Sequence, residues 1–177
     1  MTKYLIMIFI DCESAGLRGT IFAAAMVAED GMVLFDGYYR HPALQENQWL
    51  RENVEPNLSG KEYPDRVSFL QAVYMAWNMA KHKYGNGDYM SLAAVAHMGS
   101  PVESNLFQEL FLEKFIGEFD GPYPLLDTAP LLLKAGYAAD SEEKYAAQVG
   151  IELPEGYKPH SALADAQLTR LVWNSLV

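Results

Sequence analysis

The chain has one cysteine, no long apolar run and few positive charges, and each scarcity removes a class of protein. Cys12 alone cannot build a disulfide framework, which favours a reducing, cytoplasmic setting. Between two acids, it reads as a small buried residue. No hydrophobic stretch approaches the ~20 residues of a membrane-spanning helix, so no membrane partner is expected. Met1-Thr2-Lys3 leads into strand-like residues without the small-residue cleavage site of a secretory leader. Lys and Arg total 13 against 23 Asp and Glu, a formal net charge of −10. That is the wrong sign for gripping a polyanion by charge alone, although bound divalent cations would reverse it locally. The acidity is dispersed, and neither internal repeats nor a low-complexity linker interrupts the chain.

What remains is ordinary globular composition. With 177 residues, half of them hydrophobic, the expectation is a single domain over residues 1–177 with a substantial core. Residues 4–12 read as a buried strand, 14–20 as a turn and 21–28 as a second strand. Glu29-Asp30-Gly31 is a hairpin signal before a third strand at 32–39, making a three-stranded antiparallel meander. A short helix is expected near 45–54. A longer one follows Asp65 to about residue 83, with Val67, Leu70, Val73, Tyr74 and Trp77 at helical spacing. Gly85-Asn86-Gly87 breaks it, and 90–97 returns as an apolar strand. Helices at 102–116, 129–135, 141–148 and from Ser161 onward follow, with a short strand at 125–127. Strands first, then helices alternating with strands, indicate an α/β fold with a mixed β-sheet flanked by helices.

Acids interrupt this apolar pattern at informative places. Asp11 and Glu13 end the first strand, and residues i and i+2 of a strand share a face. Like charges held side by side are unfavourable unless a cation lies between them. In the last helix, at 100° per residue, Leu168, Val172 and Leu176 fall within about 60° of Asp165. Asp165 therefore projects from the buried face, where an unpaired carboxylate is costly. Glu103 shares a face with Leu106, Phe107 and Leu110, and is either a ligand or an acid that favours its helix N-terminus. Four acids converging on one interior suit Mg²⁺ or Mn²⁺, whose ligands are oxygens, over zinc. Two such ions ~4 Å apart promote in-line phosphoryl displacement. His160, between Pro159 and Ser161 ahead of Asp165, is suited to general-base work. His97 supports either the site or its own loop, and His41 and His82 read as surface residues.

These residues resemble the DEDDh exonuclease family, which has an RNase H-like fold. Asp11-Cys12-Glu13-Ser14-Ala15-Gly16-Leu17 is similar to its first motif, D-x-E-[ST]-x-G-[hydrophobic], especially in the RNase T version. His160-Ser161-Ala162-Leu163-Ala164-Asp165-Ala166 resembles the third, H-x-A-x-x-D-A, in its histidine branch. Leu126-Asp127-Thr128 resembles the family's strand-to-helix "DT" segment, which makes Asp127 a helix cap. The second motif departs from H-N-x-x-F-D. Ala96-His97-Met98-Gly99-Ser100-Pro101-Val102-Glu103 carries glutamate after a step one residue longer.

The resemblance implies a metal-dependent 3′–5′ exonuclease that releases nucleoside 5′-monophosphates from single-stranded 3′ ends, with RNA preferred to DNA. Asp11, Glu13, Glu103 and Asp165 would hold two Mg²⁺ or Mn²⁺ ions, and His160 would be the general base. Gly16, Leu17 and Arg18 would contact substrate, Leu17 against the terminal base and Arg18 at a phosphate. Homodimerisation is a further implication, with Trp49 and the Tyr38–Tyr39 region as the candidate surface. The rival reading is a catalytically impaired nuclease fold that binds nucleotide 3′ ends or a protein partner.

Overall fold

The computed structural model describes residues 5–88, 91–122 and 124–177. Tyr4 and Met90, both expected in strands, lie outside these. Three strands form the meander: β1 (Ile6–Ser14), β2 (Ile21–Ala28) and β3 (Val33–Tyr39), each antiparallel to the last. Two short helices, α1 (Ala43–Glu46) and α2 (Gln48–Asn53), and a 3₁₀ turn at Glu55–Asn57 lead to the edge strand β4 (Lys61–Tyr63). The long helix α3 (Arg66–Gly85) precedes β5 (Leu92–Ala96), and α4 (Val102–Leu112) precedes β6 (Leu125–Asp127). Three helices complete the order: α5 (Ala129–Lys134), α6 (Glu142–Val149) and α7 (Ala162–Leu176). The six-stranded sheet runs β4-β3-β2-β1-β5-β6, with β5 parallel to β1 and β6 parallel to β5. A mixed sheet in this order, flanked by helices, has the RNase H-like topology.

Strand alternation sorts the two faces. Ile8, Ile10 and Cys12 of β1 pack with Phe69, Leu70, Val73 and Trp77 of α3 and Leu106, Phe107 and Leu110 of α4. Phe9 faces the other way, into a smaller cluster with Ala25, Val27, Val95, Ala162 and Ala166 under α7. Being covered on both faces, β2 is buried at every residue. Among the described residues, no helix is long and apolar enough to cross a membrane.

Several local expectations change. The helix expected at 45–54 is two helices, because Asn47 leaves the helical region and caps α2 through Trp49 N–H and Leu50 N–H. The helix expected to reach residue 116 ends at Leu112, and Lys114 lies at φ 62°. Val67 is 53% exposed, because α3 turns Phe69, Leu70, Val73, Ala76 and Trp77 inward instead. The three residues of β4, inside the polar stretch after β3, are too few to show a strand period in the sequence. Tyr39 is buried against Phe69 and His41, so it is not a surface residue, and His41 stacks on Phe22.

A polar brace joins the two halves of the sheet's α3 side. Glu109 accepts hydrogen bonds from Ile21 N–H (3.0 Å), from Arg66 Nη2 (2.9 Å) and Nε (3.1 Å), and from Asn105 Nδ2 (3.2 Å). Arg66 also pairs with Glu113. Removing one partner from such a cluster strands the others. Glu109→Ala should therefore lose about 2–4 kcal/mol in urea unfolding at an unchanged m value. A loss below about 0.5 kcal/mol would mean that water satisfies Ile21 and Arg66 equally well.

Candidate metal centre

The end of β1 carries its acids to the α7 side of the sheet, opposite to Cys12. Asp11 and Glu13 face Ala25 and Ala23 across the β1–β2 ladder. Methyl groups as cross-strand neighbours leave space around the two carboxylates. Because the β1–β5 pairing runs only to Phe9 and Val95, Asp11 projects just beyond the last paired residues of the parallel pair. That is the carboxyl end of the strands, where open α/β sheets form their crevices. From α7, Asp165 completes the group: one carboxylate oxygen from each of Asp11, Glu13 and Asp165 lies within 4.8 Å of the others.

Glu103 arrives from the opposite layer. It is 4% exposed, and its Oε1 accepts from Cys12 N–H at 3.1 Å, between the two β1 acids. The three-carboxylate group does not include it. Gly99 lets the turn ahead of α4 lie close against the end of β5, since a Cβ there would stand 2.7 Å from the Ala96 Cβ. Asp127 holds the same turn, accepting from Met98 N–H and Gly99 N–H (both 3.0 Å) and from Ala129 N–H at the start of α5 (2.8 Å).

A cavity of about 180 Å³ opens beside the acids, lined among others by Asp11, His97, Glu142, Tyr157, His160 and Asp165. His160 is exposed, at φ 60°, with Trp49 edge-on to its ring at 5.0 Å and Asn57 Nδ2 donating to the preceding Pro159 carbonyl at 3.0 Å. Trp49, a candidate interface residue from sequence, thus packs against this histidine. Gly16, Leu17 and Arg18 are exposed on the 15–20 turn, where Gly16 adopts φ 108°, a conformation costly for any other residue. Leu17 is 74% exposed. Asn105 Nδ2 pins this turn through the Gly19 carbonyl at 3.1 Å.

Glu142 does not stand out in the sequence, where it reads as a first-turn acid of its helix. It is 3% exposed and accepts from Thr128 Oγ1 (2.6 Å) and Thr169 Oγ1 (2.7 Å). His97 Nδ1 lies 2.9 Å from the same Thr128 oxygen. With Thr128's proton committed to Glu142, that oxygen accepts from a protonated Nδ1. The available signal was Thr169, one turn beyond Asp165 on the buried face of α7.

Electrostatically the centre holds uncompensated negative charge. Among the described residues, no Lys or Arg pairs with Asp11, Glu13 or Asp165. Burial, then the charges of Glu103, Asp165 and Glu13, push Asp11 well above the usual carboxylate range. Burial and repulsion from Asp165 and Glu103 raise Glu13 to about 8. Burial raises Glu103 to about 7, although the Cys12 N–H opposes it. Asp165 rises to about 6, again through burial, with the Tyr157 hydroxyl pulling it back. An all-oxygen, anionic donor set of this kind fits a divalent hard cation.

No protein-family model matches the chain, and neither does any curated protein sequence.

The raised carboxyls define a pH dependence. In chelator, the folded protein retains protons that the unfolded chain releases from about pH 4 upward. Stability should therefore fall as pH rises from about 4.5 through the folded value of about 8 for Glu13. Melting curves between pH 5 and 8.5 should show this decline, and Mn²⁺ should reverse it at pH 8. A flat or rising melting temperature in chelator would contradict the packing of these acids.

Proposed function

We propose that the protein is a single-domain, metal-dependent 3′–5′ exonuclease of the DEDDh type, acting on single-stranded nucleic acid with RNA preferred to DNA. The observation that carries this reading is the convergence of Asp11, Glu13 and Asp165, two of which, Asp11 and Asp165, line one cavity with His160. The RNase H-like sheet supports it further. Asp11, Glu13 and Asp165 would hold Mg²⁺ or Mn²⁺, and Glu103 would reach a second ion from the α4 side. Bound divalent cations supply Lewis-acid polarisation of the scissile phosphoryl group and stabilise the charge that develops in transfer.

The chain's own residues do the rest. His160 accepts the proton of the attacking water as its oxygen bonds to phosphorus. The phosphorus–O3′ bond breaks, the released 3′ oxygen takes a proton from solvent, and a nucleoside 5′-monophosphate leaves. Leu17 offers an apolar surface to the terminal base, and Arg18, beside it, offers charge to a phosphate. Trp49 restrains the His160 ring.

The bond between Glu103 and the Cys12 N–H favours a second reading, in which the second motif is spent on structure and the protein binds 3′ ends without cleaving them. Mutants separate the two. Asp11→Ala should abolish Mn²⁺-dependent release of mononucleotides from a labelled oligomer while the protein stays folded. Glu103→Gln should lower turnover strongly and leave oligonucleotide binding nearly intact, and Glu103→Asp should retain part of the rate. Wild-type turnover by Glu103→Gln at saturating Mn²⁺ would remove Glu103 from the site. Full activity in excess chelator would end the metal-dependent reading.

A further inference from the structure

The segment between α6 and α7 makes a contact that the helix faces and the acidic motif do not anticipate. Its backbone turns tightly, with Tyr157 N–H donating to the Pro154 carbonyl at 2.9 Å. The Tyr157 ring packs on the cluster of Leu132, Tyr145, Leu168 and Val172. Its hydroxyl oxygen lies 2.7 Å from Asp165 Oδ1 and 2.9 Å from Glu143 Oε1. A phenol has one proton to donate, so the two carboxylates share it or compete for it. Three residues later the same segment delivers His160 to the cavity. The hydroxyl thus stands where the loop carrying His160 meets the helix carrying Asp165.

We propose that Tyr157 is a positioning residue of the metal centre, its hydroxyl holding the Asp165 carboxylate in the orientation that meets Asp11 and Glu13. This role rests on the reading of the three acids as cation ligands. A carboxylate that binds a cation without such a partner must first be ordered, and that cost falls on the affinity. Tyr157 is neutral, so it orients Asp165 without cancelling the charge a cation needs. A Lys or Arg at the same place would do the opposite.

The test is calorimetric titration of the full chain with Mn²⁺ alone, without nucleic acid. Tyr157→Phe keeps the ring and its packing and removes only the hydroxyl. Its dissociation constant for Mn²⁺ should rise ~10–100-fold over wild type. Tyr137→Phe is the control, since the Tyr137 ring packs against Tyr145 in the same cluster, at 4.7 Å, and lies outside the acidic group. It should bind Mn²⁺ as wild type does. A wild-type Mn²⁺ affinity in Tyr157→Phe, even with a lowered melting temperature, would overturn the proposal and assign the hydroxyl to packing. A wild-type chain that takes up no Mn²⁺ would overturn the metal centre and this role with it. Mn²⁺ uptake that weakens in Tyr157→Phe, in a protein that cleaves no oligonucleotide, would uphold the positioning role and remove only the nuclease function.

Discussion

Mutual repulsion among carboxylates at the end of β1 is the interaction to which the surrounding structure answers. Two like charges less than 5 Å apart repel by about 3–4 kcal/mol at an effective dielectric of ~20. Three such acids in a part-buried corner therefore oppose folding on the scale of a domain's whole net stability, about 5–15 kcal/mol. A proton or a cation must relieve this. Burial, joined at Asp11 and Glu13 by repulsion from the neighbouring acids, makes the carboxyls of Asp11, Glu13, Glu103 and Asp165 hold protons more tightly than they would in water.

The immediate surroundings orient these charges without neutralising them. Backbone N–H groups and hydroxyls are the donors: Cys12 N–H to Glu103, Tyr157 to Asp165, and Thr128 and Thr169 to the deeper Glu142. Hydroxyls have no charge to set against a carboxylate, so they fix geometry and leave the anionic field in place. The cations sit elsewhere. Arg66 pairs with Glu109 and Glu113 across α3 and α4, and Arg40 pairs with Glu55 and Glu62 near the sheet edge. This separation keeps local negative charge at one cavity while other acids are satisfied in the scaffold.

Scaffold and site meet in the turns. Asp127 grips the 98–99 turn ahead of α4, and Asn105 grips the 15–20 turn carrying Leu17. Asn57 and Trp49 hold the segment around His160. These three exposed segments are therefore each tied to a neighbouring element by a polar side chain, Asp127, Asn105 or Asn57. Disrupting one of those ties would misplace a site group while leaving the apolar core intact.

The sequence by itself determined the meander, the long helix, the α/β class and the acids that interrupt apolar faces. Periods of 2.0 and 3.6 are local properties, and a carboxylate at an apolar position stands out against either. Asp11, Glu13 and Asp165 were legible for that reason. Only the tertiary structure decided which face of the sheet each acid occupies. Strand alternation turns Asp11 and Glu13 toward α7, whereas Glu103 comes from α4 and meets Cys12 first. Glu142, Thr128 and Tyr157 were hidden because each looks ordinary locally: a first-turn acid, a residue beside a helix start, a loop aromatic. Their roles come from contacts 8 to 27 residues away in the chain, which no local period encodes.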